Sequence, residues 1–449
     1  MNSVAMKPAM NRVEWRPWAV LGVFSLLQAL VNISIYTALG IALPLMVHDE
    51  AWNWTEAGMG FTVIGICIGG SSYIPTILIR RFGVRATLLL GSCCVAAGLA
   101  VLGLVHNLPM YFLGAALSGV GYQMMALIPA NHVLTTLFRR KSSVLGLYFT
   151  LSSALSAAGP LSIIGLLRLF HDDWRKLWAI EAVVALAIGT ACALVTGGPA
   201  WLERAGAALE VKIAEHEAKP KASKRAGGHR TQENWTLAEA ARTPQFYILI
   251  AAYFGHVICL ATLASFTRAH LTQRGVDLEV VGVMLTIEAL AGMAWRLLAG
   301  VLGDLFDARY VLIFALGALV IGMYYLAVAH GYPSLIAFAI GAGIGTTVTP
   351  LAVMVLVPNY YGRAHNLEIF STICLVGAVS AVGPTLGGVL RDHFGQFSST
   401  FELLAALNAA AFLAVLFMRP PRRKSPRALG EAKSSRPLMA ETAKLADPA

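Results

Sequence analysis

The chain has 449 residues, 57% of them apolar and only 13% charged, against roughly 25% charged in an average soluble domain. Its mean hydropathy of +0.67 leaves more apolar surface than a water-soluble fold of this size can hide, and it excludes disorder and a disulfide scaffold alike. The apolar residues come in long runs and not in ten-residue alternations, which argues against an outer-membrane barrel and leaves a polytopic helical membrane protein.

In chain order the runs predict twelve spans, near 18–46, 57–79, 86–105, 110–136, 143–167, 176–196, 246–267, 280–302, 310–329, 333–357, 365–389 and 401–418. The first is too long for a signal sequence and lacks a small-residue cleavage site, so it is expected to remain as an anchor. It carries Gln28, Asn32 and Tyr36 at four-residue spacing, a polar stripe on an apolar helix. Span 4 carries Tyr122, Gln123, Asn131 and His132, and span 6 carries Glu181, read as structural. The segment 197–244 then breaks the pattern with Lys219, Lys221, Lys224 and Arg225 close together; within it, 201–216 has the makings of an amphipathic surface helix. Thr236 and Glu239 have capping-box spacing ahead of span 7. Tyr253 and His256 fall in span 7, Glu288 and Arg296 in span 8, Thr346, Thr347 and Thr349 in span 10, and Asn366 and Glu368 in span 11.

The expected organisation is an N-terminal six-helix half (1–196), a cytoplasmic linker (197–244), a C-terminal six-helix half (245–418) and a disordered tail (419–449) rich in Pro, Ser and basic residues. The six cysteines all lie in apolar runs without metal-ligand spacing and read as small core residues. Gly341-Ala342-Gly343-Ile344-Gly345 sits inside an apolar span with no preceding strand, so close helix packing explains it better than a nucleotide loop. No cofactor, metal site or catalytic constellation is implied, and a monomer is expected.

The net charge of +10 is mostly a topology signal. With the N-terminus in the cytoplasm, 27 of the 34 Lys and Arg fall on the cytoplasmic side and six outside, and Arg296 alone lies within a span. That bias follows the positive-inside rule, places both termini in the cytoplasm, and removes the case for nucleic-acid binding.

Shifted by 224 residues, the chain resembles itself. Gly58 falls on Gly282, Phe82 and Arg85 on Phe306 and Arg309, Gly119 and Gly121 on Gly343 and Gly345, Arg139 on Arg363, and Gly159-Pro160 on Gly383-Pro384. Two six-helix halves in the same membrane orientation describe one class of transporter. The loop after span 8, Gly300 through Asp304 to Arg309, is similar to the short cytoplasmic signature of the major facilitator superfamily. Its first-half copy keeps Arg81, Phe82, Gly83 and Arg85 but has Thr76 and Arg80 where Gly and Asp are expected. The fold this implies is all-α, twelve transmembrane helices in two six-helix pseudo-repeat halves. Trp54-Thr55, the run Leu137-Phe138-Arg139-Arg140-Lys141 and Thr243-Pro244-Gln245-Phe246-Tyr247 resemble the branch of monocarboxylate porters and oxalate:formate antiporters.

Arg296 is the most informative residue. It lies eight positions before Asp304, about 12 Å up the helix and well inside the membrane. A guanidinium there needs a wet cavity or a partner, and it suits a carboxylate through two parallel hydrogen bonds. The resemblance implies anion binding at this span-8 position; the alternative is an ion pair within the bundle. Glu288, eight residues earlier and about 80° around the helix, is a proton-coupling candidate that is not expected to touch Arg296. The monocarboxylate porters carry an acid four residues before this arginine, where the chain has Gly292, and a span-1 lysine that is absent here; span 11 also lacks the lysine of the oxalate type. Asn32, Tyr36, Tyr122 and His256 are the remaining candidates for substrate contact, with Asn32 and His256 equivalent at the 224 offset. Asp304, Arg309, Arg81, Arg85, Glu368 and Arg363 form the gating set, with Glu368 expected to pair near Arg363.

These residues point to secondary transport of a small organic anion, coupled to a proton or a counter-anion, in the cytoplasmic membrane. An efflux pump for hydrophobic compounds, a vitamin or siderophore importer, and a receptor on the same fold are the alternatives. The topology is directly testable: an impermeant thiol reagent added outside should miss a cysteine placed near Lys221 or after Arg427. Labelling of either would overturn the orientation.

Overall fold

The computed structural model describes residues 15–125, 127–138, 141–196, 231, 233–305, 307–362 and 364–421. Arg139, Arg140, Arg363, the 201–216 stretch, the Lys219, Lys221, Lys224 and Arg225 cluster and the tail from 422 lie outside the described residues. All regular structure among the described residues is helical. In a lipid interior this follows from the backbone itself, because each N–H and C=O must find a partner within its own segment.

Among the described residues, eleven helical stretches are long and apolar enough to cross a membrane. One of them, Tyr73–Gly103, is broken at Gly83, where φ of 81° and ψ of 168° interrupt the helix. Trp54–Gly70 with the part before Gly83 forms span 2, and the part after it forms span 3, which gives twelve. The other spans are Trp15–Asn32 continued by Ala38–Asp49, Leu108–Met125 with Leu127–Leu137, Lys141–Ser156 with Gly159–Leu169, Trp174–Thr196, Pro244–Gln273, Leu278–Leu305, Ala308–Val328, Gly331–Tyr361, Asn366–Ala378 with Gly383–Phe394, and Ser398–Phe417. A wide π turn, Ile33–Thr37, joins the two parts of span 1 directly after Asn32. Spans 5 and 11 restart at Gly159-Pro160 and Gly383-Pro384, where a proline opens a new helical segment at no cost in backbone bonds. The capping box at Thr236 and Glu239 forms and opens the short helix Leu237–Ala240.

The repeat is visible in the helix boundaries. Trp54 and Leu278 begin spans 2 and 8, Gly159 and Gly383 begin the second parts of spans 5 and 11, Trp174 and Ser398 begin spans 6 and 12, and Leu137 and Tyr361 end spans 4 and 10. Each pair is separated by the same 224 positions. The turn at Gly83 corresponds to Asp307, whose side chain accepts a hydrogen bond from the Arg309 amide at 3.0 Å and starts span 9. A positive-φ glycine and a capping aspartate thus do the same work in the two halves.

The halves meet along two equivalent seams, span 2 with span 11 and span 5 with span 8, joined at one end of the bundle, and also where span 1 meets span 7. In the first, Asp392 at the end of span 11 accepts hydrogen bonds from the amides of Trp54 (3.2 Å) and Thr55 (2.8 Å) and from the Thr55 hydroxyl (2.7 Å). It therefore satisfies the first free N–H groups of span 2, where the helix dipole favours an anion. In the second, Arg168 pairs with Glu279. Arg168 and Asp392 are equivalent at the 224 offset, and so are Thr55 and Glu279. One contact has been kept twice with the charges redistributed. The Arg168–Glu279 pair is more than half exposed and contributes ~0–1 kcal/mol. Asp392, with three charge-assisted bonds to one helix end, contributes more even in an exposed setting.

Glycines bring the backbones together along these seams. A Cβ at Gly388 would lie 2.2 Å from the Trp54 carbonyl oxygen, and one at Gly58 would lie 2.3 Å from that of Pro384. Deeper in the first seam the Thr62 hydroxyl meets the Thr385 hydroxyl at 2.7 Å. Cysteines introduced as Thr62→Cys and Thr385→Cys should therefore cross-link under mild oxidation and hold the halves together after cleavage of an engineered protease site near 210. Two free halves on a non-reducing gel would contradict this seam.

Candidate functional site

The polar stripe of span 1 is the foundation of the site. Gln28 donates to the Tyr122 hydroxyl at 2.9 Å, and Tyr122 donates to the Asn32 side-chain oxygen at 3.0 Å. Tyr148 of span 5 donates to the Gln28 side-chain oxygen at 2.8 Å. Tyr36 meets the Tyr122 ring edge-on, with centroids 6.1 Å apart. The structure thus joins Asn32, Tyr36 and Tyr122 into one network across spans 1, 4 and 5. A connected network fixes each rotamer and leaves few donors idle in a low-dielectric interior. Glu181, buried in span 6, accepts from Ser34 within the π turn, between Asn32 and Tyr36, and serves as a strut behind this wall.

The other half supplies the charge. Arg296 of span 8 is half-buried and donates to the Ser153 hydroxyl of span 5 at 3.0 Å, across the interface between halves. It has no carboxylate partner among the described residues. His256 is buried on span 7, edge-on to the Tyr253 ring at 5.8 Å and within electrostatic range of Arg296, and its Nδ1 has no hydrogen-bond partner among the described residues. Glu288 stands apart from Arg296, as the helix geometry requires. Its carbonyl oxygen abuts Gly343 of span 10, where a Cβ would lie 2.1 Å away, and its carboxyl makes no hydrogen bond or ion pair among the described residues.

The gating set is dispersed. Arg309 donates from Nε to the Val415 carbonyl (3.2 Å) and from Nη2 to the Leu416 carbonyl (2.5 Å), placing a cation on the C-terminal end of span 12. Arg81 lies over the neighbouring Phe82 ring at 5.5 Å, and Arg85 is exposed. Asp304 falls within span 8, but its side chain is outside the described set. Glu368 faces His365 at 3.7 Å on the exposed surface; its expected neighbour Arg363 lies outside the described residues.

Four residues escaped the sequence reading. Tyr148 and Ser153 lie in span 5, where nothing distinguishes them from other small or aromatic packing residues. Asp392 reads as a loop residue until span 2 is seen beside it. Arg268 corrects an expectation. Span 7 was predicted to end at 267, which left Arg296 as the only cation within a span; the helix runs on to Gln273 and buries Arg268 at 7% exposure. The run from Arg268 to Gln273 looks polar enough to end a span, but helical hydrogen bonding and packing against the other half carry it further.

Residues 25–295 and 249–447 match the Major Facilitator Superfamily. The chain belongs to that superfamily. Its members are carriers, so this superfamily protein is a multi-pass membrane transporter and not an enzyme. Among curated proteins it is similar to an oxalate:formate antiporter of Oxalobacter formigenes, 22% identical over 86% of this chain and 91% of that protein. It is also similar to monocarboxylate transporter 13 of Bos taurus, 26% identical over 76% of each, and to a hexuronate transporter of Bacillus subtilis, 22% identical over 88% and 94%. Among solved structures the nucleoside transporter NupG shares the fold at a TM-score of 0.66, covering 90% of this chain and all of that one at 13% identity.

Proposed function

We propose that the protein is a secondary carrier of a small organic anion, a monocarboxylate or aromatic acid, working by alternating access in the cytoplasmic membrane with both termini inside. The observation that carries this reading is Arg296, a guanidinium on span 8 between the halves, bonded only to a serine hydroxyl among the described residues. Removal of a charge from water is expensive in this setting, and an incoming carboxylate supplies the opposite charge and a matching pair of acceptors. The Gln28–Tyr122–Asn32 network and the ring of Tyr36 offer hydroxyl, amide and aromatic surface to the rest of the molecule. Similarity to carriers named for oxalate, formate, hexuronate and monocarboxylates supports a carboxylate.

Coupling falls to Glu288 in this reading. Its carboxyl is free of any fixed partner among the described residues and lies on the same span as Arg296, about 12 Å along the helix. Proton binding there and anion binding at Arg296 would together keep the loaded carrier near neutrality as it turns over. Span 1 has no acid in its membrane portion, which weighs against cation-drug efflux.

Two variants test the assignment in proteoliposomes. Arg296→Gln should reach the membrane in normal amount and lose anion binding by about ten- to a hundredfold, the worth of a charged hydrogen bond of roughly 1.5–3 kcal/mol. Arg296→Lys keeps the charge without the planar fork and should retain weak binding. Wild-type transport by Arg296→Gln would remove the anion reading, and failure of both variants to insert would mark a structural ion pair. Glu288→Gln, a mimic of the protonated acid, should abolish uphill accumulation and leave counterflow exchange intact. Undiminished accumulation against a gradient would take Glu288 out of the coupling.

A further inference from the structure

Arg268 is the second guanidinium inside the helical bundle and has no part in the site described above. It is 7% exposed, and its Nε and Nη1 have no hydrogen-bond partner among the described residues. Asp172, in the connection between spans 5 and 6, is within electrostatic range without bonding to either nitrogen. Arg268 follows Ala264 by one turn, about 40° around the helix. At Ala264 span 7 presses on span 1 so closely that a Cβ at Gly40 would lie 1.8 Å from its carbonyl oxygen. Arg268 therefore stands in the junction of span 1 with span 7, the two spans that carry Asn32, Tyr36 and His256 at greater depth. It is twelve residues, or about 18 Å, from His256 along the helix. Its counterpart at the 224 offset is Pro44, so it is no member of the duplicated seam that Asp392 and Arg168 form.

We propose that Arg268 is a second anion site, which takes the carboxylate of an incoming substrate at the roof of the central site before it passes to Arg296. A buried guanidinium with free N–H groups is unfavourable in the sealed state. When the halves part at this end, the junction of spans 1 and 7 opens, and the same N–H groups face water as a fork for a carboxylate. The two arginines then serve opposite ends of one route. This inference rests on the carboxylate reading and on the proposed orientation: with both termini inside, the end of the bundle where Asp392 meets span 2 and Arg168 pairs with Glu279 faces outward.

The test compares initial rates of radiolabelled benzoate and pyruvate uptake in right-side-out and inside-out vesicles. Arg268→Gln should raise KM from the outer face about tenfold or more, leave KM from the inner face unchanged, and be partly rescued by Arg268→Lys. A KM that is unchanged at both faces, raised equally at both, or raised only from the inner face would overturn the proposal. So would failure of both variants to reach the membrane, since that marks a structural role. If the wild-type protein carries neither probe, the carboxylate reading fails and this site with it; wild-type transport with a side-independent effect of Arg268→Gln refutes the second site alone.

Discussion

A guanidinium set between the two halves, with no carboxylate beside it among the described residues, is the feature on which the proposed carrier depends. Lipid offers Arg296 neither water nor a counter-ion, so the guanidinium has to sit where two helical bodies meet and something mobile can reach it. The Ser153 hydroxyl on the opposite half holds the side chain in place without neutralising it. A carboxylate in the same position would form a permanent pair and remove the anion affinity proposed for this residue. Gln28, Asn32, Tyr122 and Tyr148, with Glu181 and Ser34 behind them, form a bonded polar wall in the other half, and Ser153, which holds Arg296, lies on the same span as Tyr148.

The proposed alternating access adds a second constraint, that the site be reachable from each side in turn. The two seams are made of contacts suited to breaking and re-forming. Asp392 bonds to the end of span 2, and Arg168 pairs with Glu279, near the surface where water can replace either contact. Within the first seam, Gly58 against Pro384 and Gly388 against Trp54 bring the two backbones close, with the Thr62–Thr385 hydroxyl contact deeper in. Such surfaces separate with little side-chain rearrangement. Because the seams are copies related by the 224-residue repeat, the proposed rocking would load both alike.

Much of the fold is legible in the sequence because the membrane enforces simple rules. Apolar run length, the distribution of basic residues and the repeat between Gly159-Pro160 and Gly383-Pro384 together give the number of helices and their pairing. Single residues that must be expensive, such as Arg296, stand out for the same reason. What the sequence conceals is anything set by contact between distant spans. The bonds of Tyr148 and Ser153 depend on which neighbour span 5 packs against, and the role of Asp392 depends on a helix end more than 300 residues away. Arg268 was misplaced because a polar run near a helix end looks alike whether it faces water or the other half.

The central claim is recognition of a carboxylate charge, and isosteric ligand pairs test it most directly. Purified protein would be heated in the presence of benzoate or benzamide, and of pyruvate or pyruvamide. Each pair matches in shape and differs in charge. A ligand that binds only the folded protein stabilises it by about 2.7 kcal/mol at a hundredfold excess over Kd, enough for a clear rise in Tm. The account predicts that at least one acid raises Tm while its amide does not. Equal shifts from an acid and its amide, or shifts from neutral compounds alone, would contradict it.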